Sequence, residues 1–298
     1  RSHVFILLKM FIYGYVIYVL GSKWHSRRKI LTPTFHFNIL QHFIDILIEE
    51  GESMAKFLKD IGGPVVKDLV PFASEHTLNA ICETAMGSSL RNLGAFEQQY
   101  RKAVHRIGEL FAYRTMRPWL RNKWIYSLTE KGKEQKKTLK ILHEFTERII
   151  TERKLYHERT NDRFLKNFDN NTSAEEDKTM GIRKKRLALL DLLLGASREN
   201  LLTDLDIREE VDTFMFEGHD TTAMGICFLL LLLAEHKDIQ DRVRKEVDIV
   251  MQENQGKLTM KSLQNLSYLE RCIKESLRLY PSVYFISRVI LEDVKLST

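Results

Sequence analysis

The stretch Glu-Val-Asp-Thr-Phe-Met-Phe-Glu-Gly-His-Asp-Thr-Thr, residues 210–222, runs without a proline into the apolar segment Ala223 to Ala234. Thr203 or Asp204 offers an N-cap upstream, so a single buried helix with a polar first half is the plain expectation. That helix carries Gly218, Asp220, Thr221 and Thr222 within five positions. Short carboxylates and hydroxyls compete for backbone groups, and glycine costs about 1 kcal/mol against alanine in a helix interior. A helix weakened at one point suggests that something there gains from the distortion. A bare Gly-x-Asp-Thr-Thr is a short match and supports a buried structural helix equally well, whereas thirteen consecutive positions carry more.

Two other patterns stand in order along the chain. Glu275 and Arg278, inside Lys-Glu-Ser-Leu-Arg-Leu-Tyr-Pro, form the only Glu-x-x-Arg, and i,i+3 spacing puts both on one helix face before Pro281 ends the helix. An ordinary surface ion pair would read the same way. Trp24 and Arg28 form the only Trp-x-x-x-Arg, within Lys-Trp-His-Ser-Arg-Arg-Lys-Ile-Leu-Thr-Pro-Thr-Phe. At i,i+4 an indole N–H and a guanidinium converge on one anionic group. After Pro281, Tyr284 to Leu296 is rich in β-branched and aromatic residues, which predicts a short strand bearing Arg288.

The thirteen-residue stretch closely resembles the distal helix of the cytochromes P450, in the wording of family 4 of those heme-thiolate monooxygenases. The resemblance covers residues 22–298. It implies a mainly α, partial cytochrome P450 fold, from the third helix through the Glu-x-x-Arg helix, plus a short strand. It makes Asp220 and Thr221 the catalytic proton-delivery pair facing bound dioxygen, with Gly218 leaving room for that ligand. Glu217 stands where family 4 has a glutamate that can form an ester with a heme methyl group. Trp24, Arg28 and Arg288 become propionate contacts. Glu275 and Arg278 become a buried structural clamp that needs a partner from a later segment. The cofactors implied are heme b (iron protoporphyrin IX) and NADPH acting through a partner reductase. The partners are NADPH-cytochrome P450 reductase, cytochrome b5 and a lipophilic substrate such as a long-chain fatty acid hydroxylated near its terminal carbon. The location implied is the cytosolic face of the endoplasmic reticulum membrane.

The family binds iron through a cysteine thiolate in a glycine-rich loop well beyond the Glu-x-x-Arg helix, and none of Cys82, Cys227 and Cys272 occupies such a loop. Each reads as a small buried hydrophobe. The expectation is therefore that these 298 residues do not ligate iron in the family's manner. An inactive truncated product or a helical binding remnant is the alternative to a working enzyme. Residues 1–21 form a divergent apolar segment. Val4 to Leu20 sits at the short end of what spans a bilayer and could be an anchor, a buried element or a gene-model artefact, the last being favoured.

Composition agrees with a large globular chain. It is 44% hydrophobic and carries a net charge of +6, spread along helices rather than gathered in a patch, so no nucleic-acid partner is called for. Three cysteines in no paired spacing suit a reducing compartment. His36, His42 and His76 are too dispersed for a metal cluster, and His219 reads as a helix polar residue rather than an iron ligand. Apolar spacing predicts helices over 72–86, 96–113, 119–127, 130–159, 187–194, 237–251 and 266–280, with an amphipathic face at Phe43, Leu47, Met54 and Leu58. Gly62-Gly63-Pro64 breaks the pattern, and Val65 to Leu69 reads as an extended turn. Residues 161–186 are polar enough to remain a loop.

Overall fold

The structure is a computed structural model that describes residues 22–35, 41–63, 68–90, 94–160 and 188–284. The apolar segment 1–21, the loop 161–186, most of the extended turn near 65–69, and the strand with Arg288 lie outside the described residues. Among the described residues every regular element is helical. The chain divides into two compact units, residues 1–220 and 221–298.

In the first unit α1 spans Ser22–Leu31, α2 Ile44–Ile61, α3 Leu69–Ile81, α4 Gly94–Thr115, α5 Lys123–Leu128, α6 Glu130–Arg159 and α7 Leu189–Arg198. Helix α8, Asp204–Glu235, begins in this unit and continues into the second. The ends are set by side chains that satisfy orphan backbone donors. Asp68 accepts from Val70 N–H at 3.0 Å, and Thr129 accepts from Gly132 N–H at 3.0 Å. At α8, Thr203 and Asp206 cap each other: Asp206 N–H donates to Thr203 Oγ1 at 3.2 Å, and Thr203 N–H donates to Asp206 Oδ2 at 3.0 Å. This fixes the start of α8 at the expected N-cap.

Two expected helices are divided. The helix expected over 119–127 splits into a 3₁₀ turn, Pro118–Arg121, and α5, because Asn122 takes an extended conformation and its side chain accepts from Trp124 N–H at 2.9 Å. The helix expected over 72–86 starts earlier, with Pro71 tolerated in its first turn, and passes at Cys82–Met86 into one turn of π-helix. Gly87, in the left-handed region at φ 65°, ends that turn.

The core of the first unit is built from the faces that apolar spacing picks out. Leu78, Cys82 and Met86 meet Tyr100, Phe145 and Ile149, and Ile207, Val211 and Met215 of α8 complete the cluster. Leu190 and Leu193 close it from α7. One buried polar node serves this packing: Asp191 accepts from Arg153 Nε at 2.6 Å, Arg153 Nη2 at 2.7 Å and Ala188 N–H at 3.0 Å, with His157 Nε2 at 2.6 Å.

The second unit holds the rest of α8 with α9 (Lys237–Glu253), α10 (Met260–Gln264) and α11 (Ser267–Leu279). Leu266, at the N-cap of α11, has no side-chain acceptor to offer. Glu246 of α9 supplies it, accepting from Tyr268 N–H at 2.8 Å and Leu269 N–H at 2.9 Å. The helix carrying Glu275 and Arg278 is thus capped by its neighbour.

Candidate functional site

Helix α8 carries most of the residues singled out by the sequence. In the first unit its apolar stripe Ile207, Val211 and Met215 is fully buried, and burial extends to the polar groups Glu209, Glu210, Asp212, Thr213 and His219. His219 is a core histidine, a polar residue of the helix as expected. Its Nδ1 lies 2.7 Å from the Met215 carbonyl, which accepts from it, its own carbonyl accepts from Thr77 at 3.0 Å, and its ring lies beside Tyr100. Burial pushes its imidazole below the ordinary histidine range.

Glu217 is half-buried, and burial raises its carboxyl to about 7, so near neutral pH it is both proton donor and acceptor. Gly218 has a side chain for a neighbour. A Cβ placed there would stand 2.7 Å from Ile81 Cδ1 and Cγ1, so in this structure the bare glycine admits the side chain at the end of α3 rather than leaving an open space. Asp220 is half-buried at the end of the first unit.

In the second unit the Thr221 carbonyl accepts from Ser282 Oγ at 2.8 Å, drawing the chain after Pro281 onto the helix. Beside it lies a groove of about 490 Å³, lined by Thr221, Thr222, Gly225, Leu229, Leu277 and Val283 with their neighbours. The groove offers a hydroxyl pair at the edge of an apolar surface. The Glu275–Arg278 pair, expected to be completed as a clamp by a later segment, is joined within its own helix. Glu275 accepts two bonds from Arg278, each 2.7 Å, but both side chains are exposed. The bond to Arg278 lowers the Glu275 carboxyl and raises the guanidinium.

On α1, Arg28 is exposed and Trp24 half-buried, its indole edge-on to His25. Among the described residues Arg28 forms no ion pair, so its charge is open to an anion. Its neighbour Arg27 is the reverse: only 2% exposed, it donates from Nη1 to Glu210 at 2.7 Å and from Nη2 to Glu209 at 2.5 Å, and it also bonds Asp206. Lys23 adds a second cation, 3.1 Å from Asp206. Burial outweighs Arg27 at Glu210 and holds that carboxyl at about 7, while at Asp206 the bonds from Thr203, Lys23 and Arg27 outweigh burial and hold it well below the usual range. Sequence reasoning missed this cluster. Its signal was present in Asp206, Glu209 and Glu210, whose i, i+3, i+4 spacing puts three carboxylates on one face and so demands a cation.

A heme would need a cation for its propionates, a helix face with polar proton carriers and a thiolate. The first two fit: Arg28 is open, and Glu217 and Asp220 are partly exposed on α8. The cysteines do not supply the third. Cys82 is fully buried against Met215, 3.5 Å away, and burial pushes its thiol well up, opposite to what a thiolate ligand needs. Burial also raises the Cys272 thiol, and Cys227 is buried.

A sequence model of the family described as Cytochrome P450 matches residues 2–298. The chain is 43% identical over 276 residues to cytochrome P450 4c3 of Drosophila melanogaster, an alignment covering 92% of this chain and 51% of that protein. Cytochrome P450 4c21 of Blattella germanica is 42% identical over 279 residues, 93% of this chain and 53% of the relative. Cytochrome P450 4V2 of Homo sapiens is 39% identical over 285 residues, 93% of this chain and 51% of the relative. The chain spans about half the length of these curated relatives.

Proposed function

The chain belongs to the cytochrome P450 family, and on that premise we propose that it forms the distal half of a family 4 heme-thiolate monooxygenase. The observation that carries the reading is α8, which brings Glu217, Asp220 and Thr221 into one helix as partly exposed polar groups, with an open cation, Arg28, on α1. Bound heme b supplies the redox chemistry by which one atom of dioxygen enters a C–H bond, with electrons from NADPH through a flavoprotein reductase or cytochrome b5. This chain's residues do the rest. Arg28 and Trp24 neutralise and orient propionates, joined by Arg288. Asp220 takes protons from solvent and passes them to the Thr221 hydroxyl, which holds the last proton at the reaction centre. Glu275 and Arg278 act at a distance from substrate. The thiolate is assigned to none of Cys82, Cys227 and Cys272.

The apolar wall beside Thr221 supports a lipophilic substrate, and the family 4 resemblance extends that to fatty acids oxidised near the terminal carbon. Membrane association on the cytosolic face of the endoplasmic reticulum draws support from residues 116–128. There Met116, Trp119, Trp124, Ile125 and Leu128 are all exposed beside Lys123, the mixture of aromatic, aliphatic and basic groups that suits a lipid interface. Helix α8 is the one described helix long and apolar enough to cross a membrane by length and composition, but its first half packs in the core of the first unit, so it lends no support to an anchor.

The test is oxygen incorporation. The full-length enzyme, supplied with reductase, NADPH and a saturated fatty acid under isotopically labelled dioxygen, should yield a hydroxy acid carrying one labelled atom. Thr221→Ala should lower product per NADPH about tenfold or more while peroxide rises, because proton delivery fails. Unlabelled product, or unchanged coupling in the variant, would overturn the assignment.

A further inference from the structure

Helix α1 is poorly equipped to seat itself by apolar contact. Of its ten residues only Trp24, Ile30 and Leu31 are apolar, and of these only Leu31 is buried. Besides Leu31 and the half-buried Ile30, which also packs against the core, its inward face carries Arg27, the largest fully buried side chain described, four residues before Leu31. The Arg27 guanidinium reaches three carboxylates on α8: Nη1 meets Glu210, and Nη2 meets Glu209 and Asp206. Asp206 is itself fixed, because its other oxygen accepts from Thr203 at the cap of α8. The contact is therefore anchored at both ends. On a helix Arg27 stands about 100° from Arg28 and about 60° from Trp24, so fixing the azimuth of one fixes the others. Glu217 lies seven residues beyond Glu210, two turns along the same stripe of α8 and about 10 Å away.

We propose that Arg27 is a positioning residue for the cofactor: its ion cluster with Asp206, Glu209 and Glu210 sets the rotation of α1, so that Trp24 and Arg28 face the group they hold. The inference rests on the heme reading above. A planar fork suits the task because separate nitrogens address separate carboxylates, which a lysine ammonium cannot do from one point. Arg27 touches no cofactor; its effect passes through Arg28 and Trp24.

Heme affinity, read by absorbance titration of the full-length apoenzyme, tests this in two backgrounds. With Trp24 and Arg28 present, Arg27→Ala should raise the heme Kd about tenfold or more, the size usual for outer partners of cofactor ligands. With Trp24→Ala and Arg28→Ala both already made, the same change should cost less than about twofold, because a positioning effect disappears when the residues it positions are gone. Arg27→Lys, which keeps the charge and serves if the alanine variant does not fold, should show the same two-background pattern with a smaller penalty. Equal penalties in both backgrounds would mean that Arg27 acts by general destabilisation, and no penalty in either would mean that α1 is seated without it; each overturns the inference while the heme reading stands. Wild-type protein that takes up no heme overturns that reading, and the inference with it.

Discussion

The two halves of α8 invert the usual pattern of helix burial. The half in the first unit is rich in polar residues yet buried: Glu210 and His219 are 0% and 1% exposed. The half in the second unit is nearly all apolar, yet Leu230 and Leu231 are 38% and 57% exposed. Polarity predicts burial only when partners are ignored. In the first half Glu210, Asp212 and His219 each have a partner: Arg27 for Glu210, Thr146 Oγ1 for Asp212 at 2.7 Å, and the Met215 carbonyl for His219. The ion pairs obey the same division. Arg27 is locked among carboxylates inside the protein, whereas the better-aligned Glu275–Arg278 pair stands in solvent.

The sharpest test of the buried half is covalent. In the heme-loaded, turning-over enzyme, the Glu217 carboxylate oxygen should form an ester with a heme methyl carbon, the methyl giving up two electrons and a proton to the enzyme's own oxidant. Acid-denaturing chromatography should then retain heme on the wild type and release all of it from Glu217→Ala. Heme that elutes wholly free from the wild type removes this role and leaves Glu217 as a proton carrier.

Next in size are the ion pairs. Arg27→Met should lower unfolding stability by about 3–5 kcal/mol, the usual cost of stranding buried carboxylates. Arg278→Met should leave the urea midpoint unmoved, since that pair is solvated. Equal effects would dissolve the distinction between the two environments.

The two glycines of α8 give a smaller contrast of the same kind. Gly218→Ala meets Ile81 and should cost about 1–3 kcal/mol, a loss that Ile81→Ala partly restores. A Cβ at Gly225 has Leu277 and Ser282 at 3.7 Å, ordinary contact, so Gly225→Ala should stabilise by up to about 1 kcal/mol through helix propensity. Failure of the Ile81 rescue would return Gly218 to the role of making room for a ligand.

The mildest probe is pH. Burial raises Glu210, Asp212 and Glu217 to about 7 in the fold. Because their unfolded values lie near about 4, the native state holds more protons than the unfolded state between those limits, and stability falls as pH rises through that window. Urea midpoints at acid and neutral pH should show this slope, and Glu210→Gln should flatten it. A slope unchanged in the variant would mean that Glu210 stays ionised throughout.

The sequence made the helical class, the long α6 and the start of α8 at Thr203 legible, because apolar period and caps are local signals. Glu217, Asp220, Trp24 and Arg28 were singled out by motif, and what the fold adds is their setting: Glu217 and Asp220 half-buried on α8, Trp24 half-buried and Arg28 exposed on α1. The Arg27 cluster was not, since its partners stand more than 170 positions away. The exposure of Glu275 and Arg278 was equally hidden, because i,i+3 spacing places two side chains together without saying what lies around them. Gly218 was legible only as a place of close approach, and the fold adds that Ile81 is the side chain beside it.

The π turn at Cys82–Met86 carries a consequence for how this region tolerates change of length. A π turn holds one residue more than an α turn over the same span, so deleting one of its residues, such as the half-buried Glu83, should close it into ordinary helix between the same flanks. Leu78 would then keep its place in the core and Ile81 its place beside Gly218. In the middle of α6, by contrast, one lost residue turns everything beyond it by about 100°. The extra residue is thus slack in the helix: a single deletion that an ordinary buried helix rejects should be accepted here.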